Sequence, residues 1–206
     1  MNAIERLKKA GLGPGNGEII WHKLDLSDPR DAKKSGEEFL KRESRLDILI
    51  NNAALISAPF EKGPDGVSTM VTINYGEILN PFSAETASFF LPPQSHQPLR
   101  IYPNTPYVRI VNVASTVHRW IPLGPTFNTI EDYNLLYKGK ILSGLMRYGH
   151  SKLMNVLFTR SLQKRFDEAT PPVPITVIAA HPGGVDTYSQ DWYFSTLGRW
   201  LMSSFL

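Results

Sequence analysis

The chain contains no cysteine among its 206 residues, which excludes a disulfide framework and any thiolate metal site. It also lacks an apolar run near the roughly 20 residues that a membrane helix needs, so no membrane span is expected. The C-terminal stretch from Trp192 to Leu206 is interrupted by Ser, Gly and Arg, and at most touches a membrane or covers a cleft. Charge of one sign is scarce. The formal net charge is +3 and the pI about 9.1, but Lys and Arg fall singly or in pairs such as Lys8-Lys9 and Lys33-Lys34. Without a basic stripe interleaved with aromatics, nucleic-acid binding is not expected. The first nine residues read as a charged amphipathic helix without the apolar centre of a secretion signal, so the expected location is cytoplasmic. No Gly-x-Ser-x-Gly elbow and no His-Glu-x-x-His pair occurs, which sets aside the corresponding hydrolase and metalloprotease chemistries. No metal ligand set is expected.

What is present suits one globular domain over residues 1–206, with 42% hydrophobic and 20% charged residues. Periodicity predicts a helix at 3–10, stopped by the glycine-rich turn 11–17, then a strand at 18–24. Next come a helix over 29–43 with Asp28 as N-cap and a buried strand at 46–50. A helix over 65–79 ends before Asn80-Pro81. After a proline-rich stretch, an apolar strand at 107–113 leads through a long connection to a helix over 148–166. A last strand spans 174–180. Helices alternating with apolar strands indicate an α/β chain with a parallel sheet.

Four segments carry the chemistry. Asn51-Asn52-Ala53-Ala54 follows one strand and Val113-Ala114-Ser115 the next. Tyr148-Gly149-His150-Ser151-Lys152 opens a helix, and the 181–187 stretch His-Pro-Gly-Gly-Val-Asp-Thr follows the third strand. Ligands in open α/β sheets bind outside the carboxyl ends of the strands, where all four fall. The Tyr-x-x-x-Lys spacing alone identifies nothing, because eight tyrosines and eleven lysines in this chain give about 0.4 such pairs by chance. Its physics is specific nonetheless. Positions i and i+4 share a helix face, so the Lys152 ammonium can stand beside the Tyr148 phenol and lower its pKa toward the working range of an acid or base. Taken alone, the pair reads first as a half-buried aromatic and a solvated surface charge.

Taken together, the segments resemble the short-chain dehydrogenase/reductase family, from about Leu24 to Thr187, and within it the retinol-dehydrogenase-like and fungal-type branch. The resemblance implies an incomplete Rossmann-like, doubly wound parallel sheet with flanking helices. It implies an NAD(P)-dependent oxidoreductase that interconverts a carbonyl and an alcohol on a small, lipophilic substrate, in a chain that can form a homodimer. By the same resemblance Tyr148 is the acid/base, Lys152 tunes it and binds the nicotinamide ribose, and Ser115 positions the substrate oxygen. Asn74, in Thr72-Ile73-Asn74, holds a helix kink and a relay water. Asp25 and Leu26 meet the adenine, Asn51 to Ala53 back its ribose, and Pro182, Gly183, Val185 and Thr187 orient the nicotinamide. The segment by which the family chooses between NAD and NADP has no counterpart here, and NADP is the working choice. His150 and His181 read as packing or hydrogen-bonding residues.

Two departures stand beside the resemblance. The family opens with a strand, a glycine-rich turn and a helix that hold the cofactor pyrophosphate. The glycines at 11, 13, 15 and 17 instead follow a helix and precede a strand, so they read as a helix stop and turn. Residues 77–106, with Glu77 and Asn80-Pro81, do not suit the long helix implied there. The strand at 18–24 is therefore expected either to dock directly beside residues 46–50 or to leave a slot, and the alternative to an enzyme is a non-catalytic remnant or binding half.

Overall fold

In the computed structural model the chain is described over residues 3–11, 17–43, 45–56, 58–79, 108–122 and 126–183. The elements are α1 (Ala3–Ala10), α2 (Pro29–Arg42), β1 (Ile48–Asn51), α3 (Thr69–Leu79), β2 (Val108–Val113), a 3₁₀ turn (Thr116–Trp120), α4 (Ile130–Tyr133), α5 (Ser143–Glu168) and β3 (Ile175–Ala180). Gly11 stops α1 as expected, with φ +90 and its N–H on the Lys8 carbonyl. Asp28 caps α2, accepting from the Arg30 N–H at 2.9 Å, with Pro29 at the first helical position, where its missing N–H costs nothing.

The three strands form one parallel sheet in the order β1-β2-β3, with Ile50 opposite Val111 and Val111 opposite Ile178. One face carries the core. Val108, Ile110, Ile175 and Val177 meet Leu162 and Phe166 of α5, with Leu49 and Phe158 packed against them. Gln163 of α5 serves the free side of β3, accepting from the Val177 N–H at 2.7 Å and donating to the Ile175 carbonyl at 3.3 Å. The opposite face is more open, with Ile48 and Ile50 of β1 exposed by 48% and 60%.

The expected strand at 18–24 does not form. A strand exists by pairing its backbone groups, and among the described residues none pairs with β1 on the side away from β2. The segment is fastened to α2 instead. His22 Nε2 lies 2.9 Å from the Ser35 carbonyl and 2.8 Å from Ser35 Oγ, which itself donates to the Lys23 carbonyl. Its apolar residues stay outside, Trp21 being 70% exposed. The segment therefore does not dock as a strand beside β1.

Two helix starts also differ. α3 begins at Thr69 rather than residue 65, because residues 61–68 close a small loop. Gly63 donates to the Val67 carbonyl, and Lys62 and Ser68 form an antiparallel bridge across a left-handed Gly66, at φ +75. α5 begins at Ser143, so Tyr148 stands in its second turn instead of opening it. The long connection before it contains the 3₁₀ turn and α4.

Candidate active site

The buried face of α5 changes character along its length. Ser151, Lys152, Asn155 and Thr159 are buried along its first two-thirds, Leu162 and Phe166 beyond them. A run at i, i+4 and i+8 that is polar yet buried must find partners, since an unpaired buried polar group costs about 1–3 kcal/mol. The partners are the ends of the strands. Lys152, only 1% exposed, donates its Nζ to the Val113 carbonyl at 2.6 Å, and Asn155 Nδ2 reaches the same oxygen at 3.4 Å. Thr159 Oγ1 donates to the Asn155 carbonyl and accepts from Asn112 Nδ2 at 2.9 Å, while Asn112 Oδ1 accepts from Asn51 Nδ2 at 2.8 Å. Asn51 is thereby tied through β2 to the helix that carries Lys152.

Asn74 is the second tie. Its Oδ1 accepts from the Leu55 N–H at 2.6 Å, and its Nδ2 donates to the Leu55 carbonyl at 2.8 Å and to Ser151 Oγ at 2.9 Å. The loop after β1 is thus held to α3 and α5 together. Ser115 ends β2 and caps the 3₁₀ turn, accepting from the Val117 N–H, and its carbonyl is bonded to His118 Nδ1. Its hydroxyl stands near enough to the Tyr148 phenol to draw the phenol's pKa down. Asn74, Ser115, Tyr148 and Lys152 therefore belong to one connected site.

The electrostatics depart from the sequence expectation. Burial pushes the Tyr148 phenol above its ordinary value, against the opposing pull of the Ser115 hydroxyl. The Lys152 ammonium, 5.7 Å from the centre of the Tyr148 ring, is bonded to the Val113 carbonyl. Desolvation of the anion outweighs the pull of the Ser115 hydroxyl. Tyr148 is thus a protonated acid at neutral pH.

The remaining candidates are spread more widely. Asp25 is exposed, and its carboxylate is occupied by the Ser27 N–H at 2.9 Å and hydroxyl at 2.6 Å, which hold its pKa down. Leu26 adjoins it, half-buried. Ala53 is exposed in the loop after β1. Pro182 and Gly183 leave β3 next to Ser115, since the Ala180 carbonyl accepts from the Ala114 N–H, and Gly183 is left-handed at φ +84. Val185 and Thr187 lie outside the described residues. Among the described residues no strand, glycine turn and helix follow one another as a phosphate cradle would require, and no cluster of His, Cys, Asp or Glu could hold a metal.

Sequence reasoning overlooked Asn112, Ser151, Asn155 and Thr159. The signal was present as an Asn inside an apolar strand and a polar i, i+4, i+8 row inside an otherwise apolar helix face. His150, read as a packing or hydrogen-bonding residue, is buried with Nδ1 3.0 Å from Tyr137 Oη and its ring 5.2 Å from that of Phe127. Burial keeps it neutral. It anchors the connection before α5 at Tyr137, a non-glycine residue held at φ 53.

A parallel sheet with its polar network gathered at the carboxyl ends of the strands defines a Rossmann-type α/β domain. No family model matches the chain. A short-chain dehydrogenase/reductase of Armillaria gallica is 38% identical over 99% of this chain and 61% of its own length. Mouse retinol dehydrogenase 11 is 31% identical over 93% of this chain and 52% of its own. The fold matches a short-chain dehydrogenase of Streptomyces avermitilis with a TM-score of 0.51, at 17% identity, over 88% of this chain and 53% of that one. The chain belongs to the short-chain dehydrogenase/reductase family, and it spans between half and two-thirds of the length of these relatives.

Proposed function

We propose that this chain carries the proton-handling site of an NAD(P)-dependent oxidoreductase that interconverts a carbonyl and an alcohol. The observation that carries the reading is the gathering, at the carboxyl end of the sheet, of Ser115, a half-buried Tyr148 and Lys152, whose ammonium is held by the Val113 carbonyl 5.7 Å from the centre of the Tyr148 ring. The nicotinamide, when bound, supplies or accepts the hydride. Ser115 orients the substrate oxygen, and Tyr148 donates its proton to that oxygen as negative charge develops on it. With burial holding the phenol protonated, carbonyl reduction is the direction favoured at neutral pH, and alcohol oxidation gains as the pH rises toward the raised pKa.

The nicotinamide end fits the residues present. Asn155 Oδ1 is a buried acceptor without a protein partner beside the Val113 carbonyl and Lys152. Tyr148 and Lys152 would hold the ribose, and Pro182 and Gly183, with Val185 and Thr187, the amide. Asp25, Leu26, Asn51 and Ala53 would meet the adenosine. Asn74 joins this machinery through its side-chain bonds to Leu55 and Ser151. A lipophilic aldehyde or ketone is the substrate class, supported by Trp120, exposed at the end of the turn that Ser115 caps, and by the retinol dehydrogenases among the relatives.

A second reading, a module that binds without turnover, is favoured by the open side of β1 and by the absence of a phosphate cradle among the described residues. Thermal unfolding with NADH or NADPH distinguishes the two. Cofactor at 100 times Kd stabilises by about 2.7 kcal/mol if it binds the folded chain. Turnover of lipophilic aldehydes that is abolished in Tyr148→Phe, with that stabilisation retained, supports the enzyme. Stabilisation by either cofactor without turnover leaves the binding module, and a melting point unmoved by both refutes the oxidoreductase.

A further inference from the structure

Ser151 lies between the residues that the oxidoreductase reading uses, and nothing in that reading gives it a task. It is fully buried on α5, one position before Lys152. Its hydroxyl has one proton, which it donates to the Tyr148 carbonyl at 2.8 Å, and its oxygen accepts from Asn74 Nδ2 at 2.9 Å. Asn74 is also fully engaged. Its two amide hydrogens go to Ser151 and to the Leu55 carbonyl, and its oxygen takes the Leu55 N–H. A flipped amide would set N–H against N–H at Leu55, so the pattern has a single polarity.

We propose that Ser151 is a positioning residue for Tyr148, the last link of a strut that runs from Leu55 through Asn74 to the Tyr148 backbone. The proposal rests on the oxidoreductase reading for its functional consequence and on the hydrogen bonds alone for its structural one.

Three features make this strut more than a core contact. It ends on the peptide of the candidate acid itself, so any rotation of that peptide is magnified at the phenol by the length of the side chain. It begins on the loop after β1, where the adenosine-side residues Asn51 and Ala53 stand, so it couples the cofactor-side loop to Tyr148. A serine hydroxyl that bonds back to the carbonyl three residues earlier also biases the local helix geometry. Ser151 thereby sets how Tyr148 meets Ser115 across the gap between α5 and the 3₁₀ turn.

The test compares Ser151→Ala, Asn74→Ala and the double variant with the wild-type chain labelled with carbon-13 tyrosine, Tyr148 being assigned by its loss in Tyr148→Phe. Ser151→Ala is expected to move the Tyr148 titration upward by about half a pH unit or more, because the phenol shifts away from the Ser115 hydroxyl, which draws its pKa down. Turnover per folded molecule is expected to fall about tenfold with KM little changed. The double variant should move the titration no further than Asn74→Ala alone, since the two residues act as one unit.

A lowered melting point with an unmoved titration would make Ser151 a structural residue only and overturn the proposal, as would fully additive shifts in the double variant. If no carbonyl compound is turned over by the wild-type chain, the oxidoreductase reading fails. The titration still decides the strut.

Discussion

Replacing Gly149 by alanine sets two effects of opposite sign against each other. On helix propensity alone, alanine in a helix interior gains about 1 kcal/mol over glycine. Gly149, however, stands where α5 meets the 3₁₀ turn. A β-carbon there would lie 2.8 Å from the Val117 carbonyl oxygen, 3.0 Å from Ile121 Cδ1 and 3.1 Å from Val117 Cγ1. Favourable contacts between carbon atoms begin near 3.5 Å, so the backbone of the turn must retreat by about half an ångström or more. Overpacking of this kind costs about 1–3 kcal/mol. The expected balance is a net destabilisation of about 1 kcal/mol, reaching about 2 if the turn is stiff.

Ser115 caps the displaced turn, so its hydroxyl moves away from the Tyr148 phenol and the Tyr148 pKa rises further. Urea unfolding at unchanged slope measures the first effect, and the titration of Tyr148 the second. Adding Ile121→Ala to Gly149→Ala removes the side-chain contact but leaves the carbonyl, and is expected not to restore stability. A gain of about 1 kcal/mol in Gly149→Ala with an unmoved Tyr148 would refute the close approach of helix and turn.

Other perturbations probe the core, the polar network and the pH response. Phe166 is fully buried between α5 and the sheet, so Phe166→Ala is expected to cost about 3–5 kcal/mol in denaturant unfolding, enough to unfold a marginal domain. Asn112→Leu preserves volume but leaves Asn51 Nδ2 and Thr159 Oγ1 each short of a partner. A loss of about 2–4 kcal/mol is expected, and a loss below about 0.5 would mean that the network does not bear on stability. Burial pushes the Tyr75 phenol up to about 12. Above pH 10 the unfolded chain releases that proton while the folded chain keeps it, so stability falls by about 1.4 kcal/mol per unit until about pH 12. Tyr75→Phe should flatten the decline, as read by urea midpoints through that range.

Most of the sheet was legible from composition and period. β2 and β3 are rich in Val, Ile and Ala, as strands of a sheet packed against a helix are, and the alternation with helices implied the parallel order. α1 and α2 were equally plain, since Gly11, Asp28 and Pro29 are local signals that act within a few residues of chain. The candidate residues Asn74, Ser115, Tyr148 and Lys152 could be named from their motifs, because strand ends and the helix after them are where such a sheet presents side chains.

What only the tertiary structure decided concerns partners. Residues 18–24 have the composition of a strand, but a strand needs a neighbour, and the segment is held by Ser35 of α2 instead. The Tyr148–Lys152 spacing places a cation on the same helix face as the phenol. Where that cation rests is set by the Val113 carbonyl, on a strand 39 residues away in sequence, and the burial that raises the phenol's pKa comes from packing. The requirement for glycine at 149 comes from a carbonyl on the 3₁₀ turn, and the role of Ser151 from an amide on α3. Local signals specify elements, because propensities and caps act within a turn or two of chain. The protonation state of Tyr148 and the alignment of the site come from contacts between residues far apart in sequence, which exist only once the elements have packed.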